Sequence, residues 1–159
     1  MKFNIPSAAQ SAILVALALV AGLVSNRLRA QPLAWKQDWT HHVETATKDL
    51  GVPVATLEQA RKISQAQTHI ILDARPPADF AAGHIPGAFN VPSAQIAAYL
   101  PQVAPLLTPA QPVMTYCSGQ SCDESLLLSK HLLQNGFTNV VLFAGGWTEW
   151  SAAKLPVEK

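Results

Sequence analysis

The chain has 159 residues, room for one ordinary domain and an extension, and 49% of them are hydrophobic, enough for a packed core. A formal net charge of +1, with lysines and arginines scattered rather than clustered, excludes a basic nucleic-acid-binding face. Two cysteines, both in one short segment, exclude a disulfide-framework protein and point to local chemistry.

The N-terminus is a separate kind of material. No charged residue occurs from Phe3 to Asn26, and Ala12 to Val24 is continuously apolar or Gly. A spanning helix needs about 20 residues and a signal-peptide core about 7–15, and Ala8 to Ser25 lies between the two. Cleavage requires small residues at the −3 and −1 positions; the nearest candidate, Leu28-Arg29-Ala30, offers a leucine at −3 and an arginine between. Residues 1–30 are therefore read as an uncleaved membrane anchor, the alternative being secretion after signal cleavage. Lys2 and the amino terminus balance Arg27 and Arg29, so charge does not orient the span. The exterior, periplasmic side is the expectation for the domain.

Residues 31–53 read as a juxtamembrane connector. Trp35 and Trp39 suit either the membrane interface or the domain surface. The adjacent His41 and His42 do not share a helix face, and no Cys, Asp or Glu completes a set with them at ligand spacing, so no metal site is expected there.

A regular pattern follows over residues 54–159. Thr56-Leu57-Glu58-Gln59 is a capping box that starts a helix running to about Ser64. His69 to Leu72 is a β-branched run suited to a strand buried on both faces, and the prolines at 76 and 77 forbid its continuation. A short helix over Ala78–Ala82, a turn at Gly83–Ala88, a strand over Phe89–Val91 and a helix over Ser93–Tyr99 come next, before a proline-rich loop to Pro112. Val113–Tyr116 is a second buried strand. Glu124–Gln134 is a helix with core leucines at 126, 127, 128, 132 and 133, stopped by Asn135-Gly136. Val140–Phe143 is a further strand, followed by Gly145-Gly146-Trp147. Strands alternating with helices at this spacing predict an α/β layered domain with a mainly parallel sheet.

Functional groups of such a sheet gather at the carboxyl ends of its strands, where Asp73 and Arg75, Cys117, and Gly145-Gly146 all fall. Cys117 opens a strand-to-helix loop of small residues, Ser118, Gly119, Gln120 and Ser121, whose amides can form an anion-binding nest at a helix N-terminus. Both influences favour the thiolate.

Four blocks in order resemble the rhodanese-like family over roughly Ala55 to Leu155: I-I-L-D-A-R (Ile70–Arg75), F-A-A-G-H-I-P-G-A-F-N-V-P (Phe80–Pro92), Y-C-S-G (Tyr116–Gly119) and G-F-T-N-V-V-L-F-A-G-G-W-T-E-W (Gly136–Trp150). The resemblance implies a three-layer α/β/α domain that acts as a sulfurtransferase. Cys117 would attack the outer sulfur of thiosulfate or a persulfide, become a persulfide itself, and pass that sulfur to cyanide or a thiol. Ser118 to Cys122 would form the substrate-binding loop, Asp73 and Arg75 would support it as an ion pair, and neither cofactor nor metal is implied. Partners would be the small donor and acceptor, a partner protein and, through the N-terminal helix, the membrane.

The loop departs from the family pattern, which often carries Arg or Lys there. No basic residue lies between Cys117 and Ser129, Cys122 holds the closing position, and Asp123 and Glu124 follow it. These acids stabilise the helix start but oppose a low thiol pKa and repel anions, which favours a less charged donor than thiosulfate. Phosphatase chemistry, seen in a related branch of the fold, needs a loop-closing Arg and is rejected. Cys122 reads either as a resolving thiol for Cys117 or as a small buried helix residue, and the alternative functions are a non-catalytic sulfur carrier or a thiol–disulfide protein. His84 reads as a loop organiser, and Trp147 and Trp150 as core.

Overall fold

The computed structural model describes residues 7–29 and 42–159. The chain divides into two compact units, Met1–Gln37 and Asp38–Lys159. Trp35, Trp39 and His41 lie outside the described residues, as does the side chain of His42.

In the first unit, helix α1 spans Ser7–Leu28. Its segment Gln10–Leu28 has a mean hydropathy of 1.8 with none of it buried. At 1.5 Å per residue, 22 residues reach about 33 Å, the thickness of a hydrocarbon core. The helix is long and apolar enough to cross a membrane, and a signal or transit sequence would have the same character.

In the second unit, a parallel sheet of four strands has the order β2-β1-β3-β4: β1 Ile70–Asp73, β2 Ala88–Asn90, β3 Val113–Tyr116 and β4 Val140–Phe143. The register sets Asp73 beside Asn90 on one side and Tyr116 on the other, with Phe143 beyond, so the carboxyl ends of the strands are level. Beyond β4, Val54 forms a parallel bridge to Leu142 and covers part of that edge.

The pleat sends alternate residues to two cores. Leu72, Val113, Val140 and Leu142 pack with helix α6 (Glu124–Gln134), through Leu128 and Leu132. Ile71, Met114, Tyr116 and Phe143 pack on the other face with α3 (Leu57–Ala66), through Ala60 and Ile63, and with α7 (Gly146–Ala152), through Trp150. This is the expected three-layer α/β/α architecture, with helices on both faces of a parallel sheet. Thr56 caps α3 as a full capping box, and Gly136 takes φ +86° at the end of α6.

Four local readings need correcting. Within the stretch read as a connector, His42–Leu50 forms helix α2; Val43 and Val52 are buried in the core, so this segment belongs to the domain. The helix read over Ser93–Tyr99 is a single 3-10 turn, Ser93–Gln95, followed by α5, Ile96–Val103. It runs through Pro101, since Tyr99, Leu100 and Val103 packing on the core outweigh one missing backbone bond. Leu127, read as core, is 54% exposed, because the buried stripe of α6 passes through Ser125, Leu128, Ser129 and Leu132 instead. Trp147, read as core, is only partly buried, whereas Trp150 is fully so.

Candidate active site

The carboxyl ends of β1, β3 and β4 bring the sequence-nominated residues to one end of the sheet. Asp73 ends β1 fully buried, and Arg75, 3% exposed, folds back on it with Nη2 2.6 Å from Oδ2 and Nε 3.0 Å from both oxygens. Arg75 Nη2 also donates to the Gly83 carbonyl at 2.8 Å, and the guanidinium lies 4.7 Å from the centre of the Trp147 ring. Burial works against the Arg75 charge, but the bonds and charge of Asp73 outweigh it and hold its pKa above the ordinary value. Asn90 Nδ2 donates to the carbonyls of Asp73 and Arg75, tying β2 to the same corner. Asp73 and Arg75 thus form the ion pair that knits the turns beside the loop. Arg75 Nε and Nη2 are thus engaged by Asp73 and the Gly83 carbonyl.

Burial, and then the charge of Asp73, push the pKa of the neighbouring Tyr116 phenol strongly up. The phenol therefore stays protonated, and its oxygen accepts from Ile85 N–H at 3.2 Å. His84 stacks on Phe80, places Nδ1 3.0 Å from the Phe80 carbonyl, and exchanges backbone bonds with Glu158. It organises the loop, as its place in the sequence suggested.

Cys117 directly follows β3 and is 2% exposed. Its sulfur is bonded to that of Cys122 in a disulfide, with a Cα separation of 6.4 Å. Ser125, the second residue of α6, donates its hydroxyl to Cys117 Sγ at 3.2 Å. Ser129 donates to the Ser125 carbonyl at 2.8 Å, which commits its only proton, so Thr115 is the donor in its 2.7 Å contact with Ser129. A buried hydroxyl pair, Thr115 to Ser129 and Ser129 to the Ser125 backbone carbonyl, therefore braces α6 where the separate Ser125 hydroxyl meets the cysteine. Sequence reasoning missed it. Its signal was two serines four apart on a leucine-rich helix, one face of that helix by spacing.

The loop is held from the other side by α7. Trp147 N–H donates to the Cys117 carbonyl at 2.8 Å and Thr148 N–H to the Ser118 carbonyl at 2.9 Å. This approach requires glycine at 146: its φ is +55°, and an added Cβ would collide with the Cys117 carbonyl oxygen and stand 2.9 Å from Gly119 N. Among the described residues, the N–H groups of Ser118, Gly119, Gln120 and Ser121 donate to no backbone carbonyl. These four residues line a cleft of about 600 Å³ whose opposite wall is Thr148, Glu149 and Ala152. Gln120 Oε1 is buried there without a hydrogen-bond partner. Neither Cys117 nor Cys122 lines that cleft; both sulfurs face the start of α6.

Glu124, the first residue of α6, touches Cys122 Sγ with its carboxyl. Burial first, and then the negative charges of Asp73, Asp79 and Asp123, raise its pKa, with Arg75 opposing. Ligand-type atoms of Cys117, Cys122 and Glu124 all lie within 4.8 Å of one another.

The rhodanese-like domain model matches residues 56–153. The chain belongs to the rhodanese-like domain family. It is 30% identical over 148 residues to rhodanese-like domain-containing protein 15, chloroplastic, of Arabidopsis thaliana, covering 87% of this chain and 80% of that protein. It is 32% identical over 142 residues to a putative thiosulfate sulfurtransferase of Synechococcus elongatus, covering 71% of this chain but only 43% of that one. Among solved structures, the thiosulfate sulfurtransferase of Pseudomonas aeruginosa superposes with a TM-score of 0.58 at 24% identity, over 76% of this chain and 22% of that one. That likeness carries the fold. In this domain the loop cysteine follows β3, and its sulfur meets Ser125 near the start of α6.

Proposed function

We propose that this rhodanese-like domain is a sulfurtransferase with Cys117 as its sulfur-carrying nucleophile. The supporting observation is the setting of that residue: a buried sulfur at the carboxyl end of β3, facing the N-terminus of α6, with the Ser125 hydroxyl aimed at it. In the reduced protein that hydroxyl and the helix start both stabilise a thiolate. The Cys117 thiolate attacks the outer sulfur of a donor R–S–SH. The sulfur–sulfur bond of the donor breaks, the thiolate RS⁻ leaves, and Cys117–S–SH remains. An acceptor thiol or cyanide then takes the outer sulfur and returns the thiolate. The amides of Ser118 to Ser121 bind the donor or acceptor from the cleft side.

The donor this loop suits is an uncharged or protein-borne persulfide rather than thiosulfate. No basic residue lies between Cys117 and Ser129, Arg75 is engaged with Asp73, and Asp123, Glu124 and Glu149 add negative charge. Helix α1 holds the domain at a membrane, on the exterior side. The bonded pair Cys117–Cys122 favours a second reading, thiol–disulfide exchange at the same two sulfurs with no sulfur atom transferred.

Intact-mass spectrometry of the reduced full-length protein after a persulfide donor decides between them. Sulfur transfer adds one sulfur atom that Cys117→Ser abolishes, together with thiocyanate formation from the donor and cyanide. Unchanged thiocyanate formation in Cys117→Ser sinks the assignment of Cys117.

A further inference from the structure

The proposed transfer needs one cysteine, yet the site holds two, already joined, with a carboxyl against the second. A thiol at Cys122 has the inner sulfur of a Cys117 persulfide within reach, since that inner sulfur is the Cys117 Sγ it bonds in this structure. Cys122 differs from Cys117 in surroundings. It is half-buried rather than buried, and it meets the Glu124 carboxyl, while Cys117 meets the Ser125 hydroxyl. The carboxyl can take a proton from Cys122, and the Ser125 hydroxyl can stabilise a thiolate on Cys117, whose sulfur also lies 3.2 Å from the Cys122 carbonyl. A carboxyl at one sulfur and a hydroxyl donor at the other is the polarity of an attacking thiol and a leaving or resting thiolate.

We infer that Cys122 is a resolving nucleophile, with Glu124 as its proton acceptor, through which the domain discharges the sulfur held on Cys117 as hydrogen sulfide and ends each cycle as the Cys117–Cys122 disulfide. This rests on the sulfurtransferase reading and adds a product and a partner class to it. Glu124 takes the Cys122 proton. The Cys122–Cys117 bond forms as the bond from Cys117 Sγ to the outer sulfur breaks, and the bonding pair leaves on that sulfur as HS⁻. Glu124 returns the proton, giving H₂S. The two cysteines are oxidised by two electrons together, and the sulfane sulfur is reduced by the same two.

Turnover then needs an external dithiol of the thiol–disulfide reductase class. The exposure difference directs it to Cys122: a mixed disulfide forms there and Cys117 leaves as the thiolate that Ser125 stabilises. With both sulfurs bonded, neither is a thiolate ligand, so the three-residue cluster serves redox chemistry in this state rather than a metal. The same arrangement gives the acidic loop a use. An internal thiol needs no cationic anion-binding pocket to reach the persulfide.

The test uses reduced full-length protein in detergent under anaerobic conditions, with one equivalent of glutathione persulfide. Intact mass and released sulfide are followed for wild type, Cys122→Ser, Cys122→Ala and Glu124→Gln. The wild type is expected to lose two hydrogens and release one sulfide per chain. Both Cys122 variants are expected to gain one sulfur atom, removable by cyanide as thiocyanate, that persists at least about tenfold longer than on the wild type, where the attacking thiol is held in place. Glu124→Gln is expected to slow sulfide release about a hundredfold and to recover speed as rising pH ionises Cys122 unaided. A wild type that holds its added sulfur as long as the Cys122 variants do overturns the inference and leaves the sulfurtransferase reading standing. If the Cys122 variants gain a glutathionyl group in place of a sulfur atom, the donor has been attacked at its inner sulfur with HS⁻ as the leaving group, both readings fall together, and simple thiol–disulfide exchange remains.

Discussion

Removing Arg75 tests whether the strand-end ion pair holds the site corner together. In Arg75→Met, the Asp73 carboxylate stays fully buried but loses the three guanidinium contacts at 2.6 to 3.0 Å, keeping its bond from the Arg75 backbone N–H at 2.9 Å. The Gly83 carbonyl loses its donor as well. Breaking one half of a buried pair costs about 3–5 kcal/mol, because the remaining charge is stranded. The unit Asp38–Lys159 has roughly 120 residues, which at about 2.1 cal/mol/K per residue gives an unfolding entropy of about 0.25 kcal/mol/K. A loss of about 4 kcal/mol therefore lowers Tm by about 15 °C. Thermal melts of the full chain in detergent, followed by circular dichroism, read this directly. The double variant Asp73→Asn with Arg75→Met removes the stranded charge and should recover part of the loss. If Arg75→Met melts within about 4 °C of wild type, or if the two single losses simply add in the double variant, the reasoning that these groups stabilise each other is refuted.

Three further perturbations probe the loop. Ser125→Ala removes the hydroxyl at 3.2 Å from Cys117 Sγ; a bond to a charged group is worth about 1.5–3 kcal/mol, so the pH midpoint for iodoacetamide alkylation of Cys117 in the reduced protein should rise by about one to two units. Gly146→Ala forces a Cβ onto the Cys117 carbonyl at a φ of +55°, and should cost about 2 kcal/mol or more while speeding that alkylation, because the loop is pushed off α7. Glu124→Gln tests the raised carboxyl. Below the ordinary value of 4.5 the group is protonated in folded and unfolded chains alike, and as pH rises from there through the raised folded value the unfolded chain ionises first and stability falls. The variant should therefore match wild type at about pH 4 and melt higher at about pH 8, and an equal difference at both pH values would contradict the assigned shift.

The parts legible in the sequence were those fixed by local pattern. Val113–Tyr116, Glu124–Gln134 and Val140–Phe143 appear with the boundaries read from their apolar runs, because each run is bracketed by a breaker or a cap. Helix α2 was not legible: nine residues cannot hold a helix by propensity alone, and what stabilises this one is the burial of Val43 and Thr47 in a core formed by distant segments. Pro101 misled for the same reason in reverse, a local breaker overruled by tertiary packing. At the site, Cys117, Asp73 and Arg75 stood out because strand ends are predictable. Ser125, Ser129 and Thr115 did not, since a helical serine reads as an ordinary polar residue until the sheet beside it is placed. Glu124 was read as a helix-stabilising acid that repels anions. Its contact with Cys122 depends on how the loop closes, which no spacing rule states.

The acidic, lysine-free loop looks like a defect only if the donor is assumed to be an anion. The structure distributes the stabilising work differently. The Arg75 guanidinium is tied into the fold by Asp73, and the cysteine receives its hydrogen bond from the uncharged Ser125 hydroxyl. Neutral donors stabilise a thiolate without also concentrating free anions, so under the proposed function such a site would discriminate against thiosulfate while keeping its nucleophile. The position that a cation or hydroxyl would close is filled instead by a second sulfur with a carboxyl beside it. A carboxyl there hinders anion capture and assists thiol deprotonation, two effects of one charge that are both consistent with the proposed attack by Cys122. On the proposed function, the loop's departures from the family pattern would all act in the one direction of sulfur–sulfur exchange.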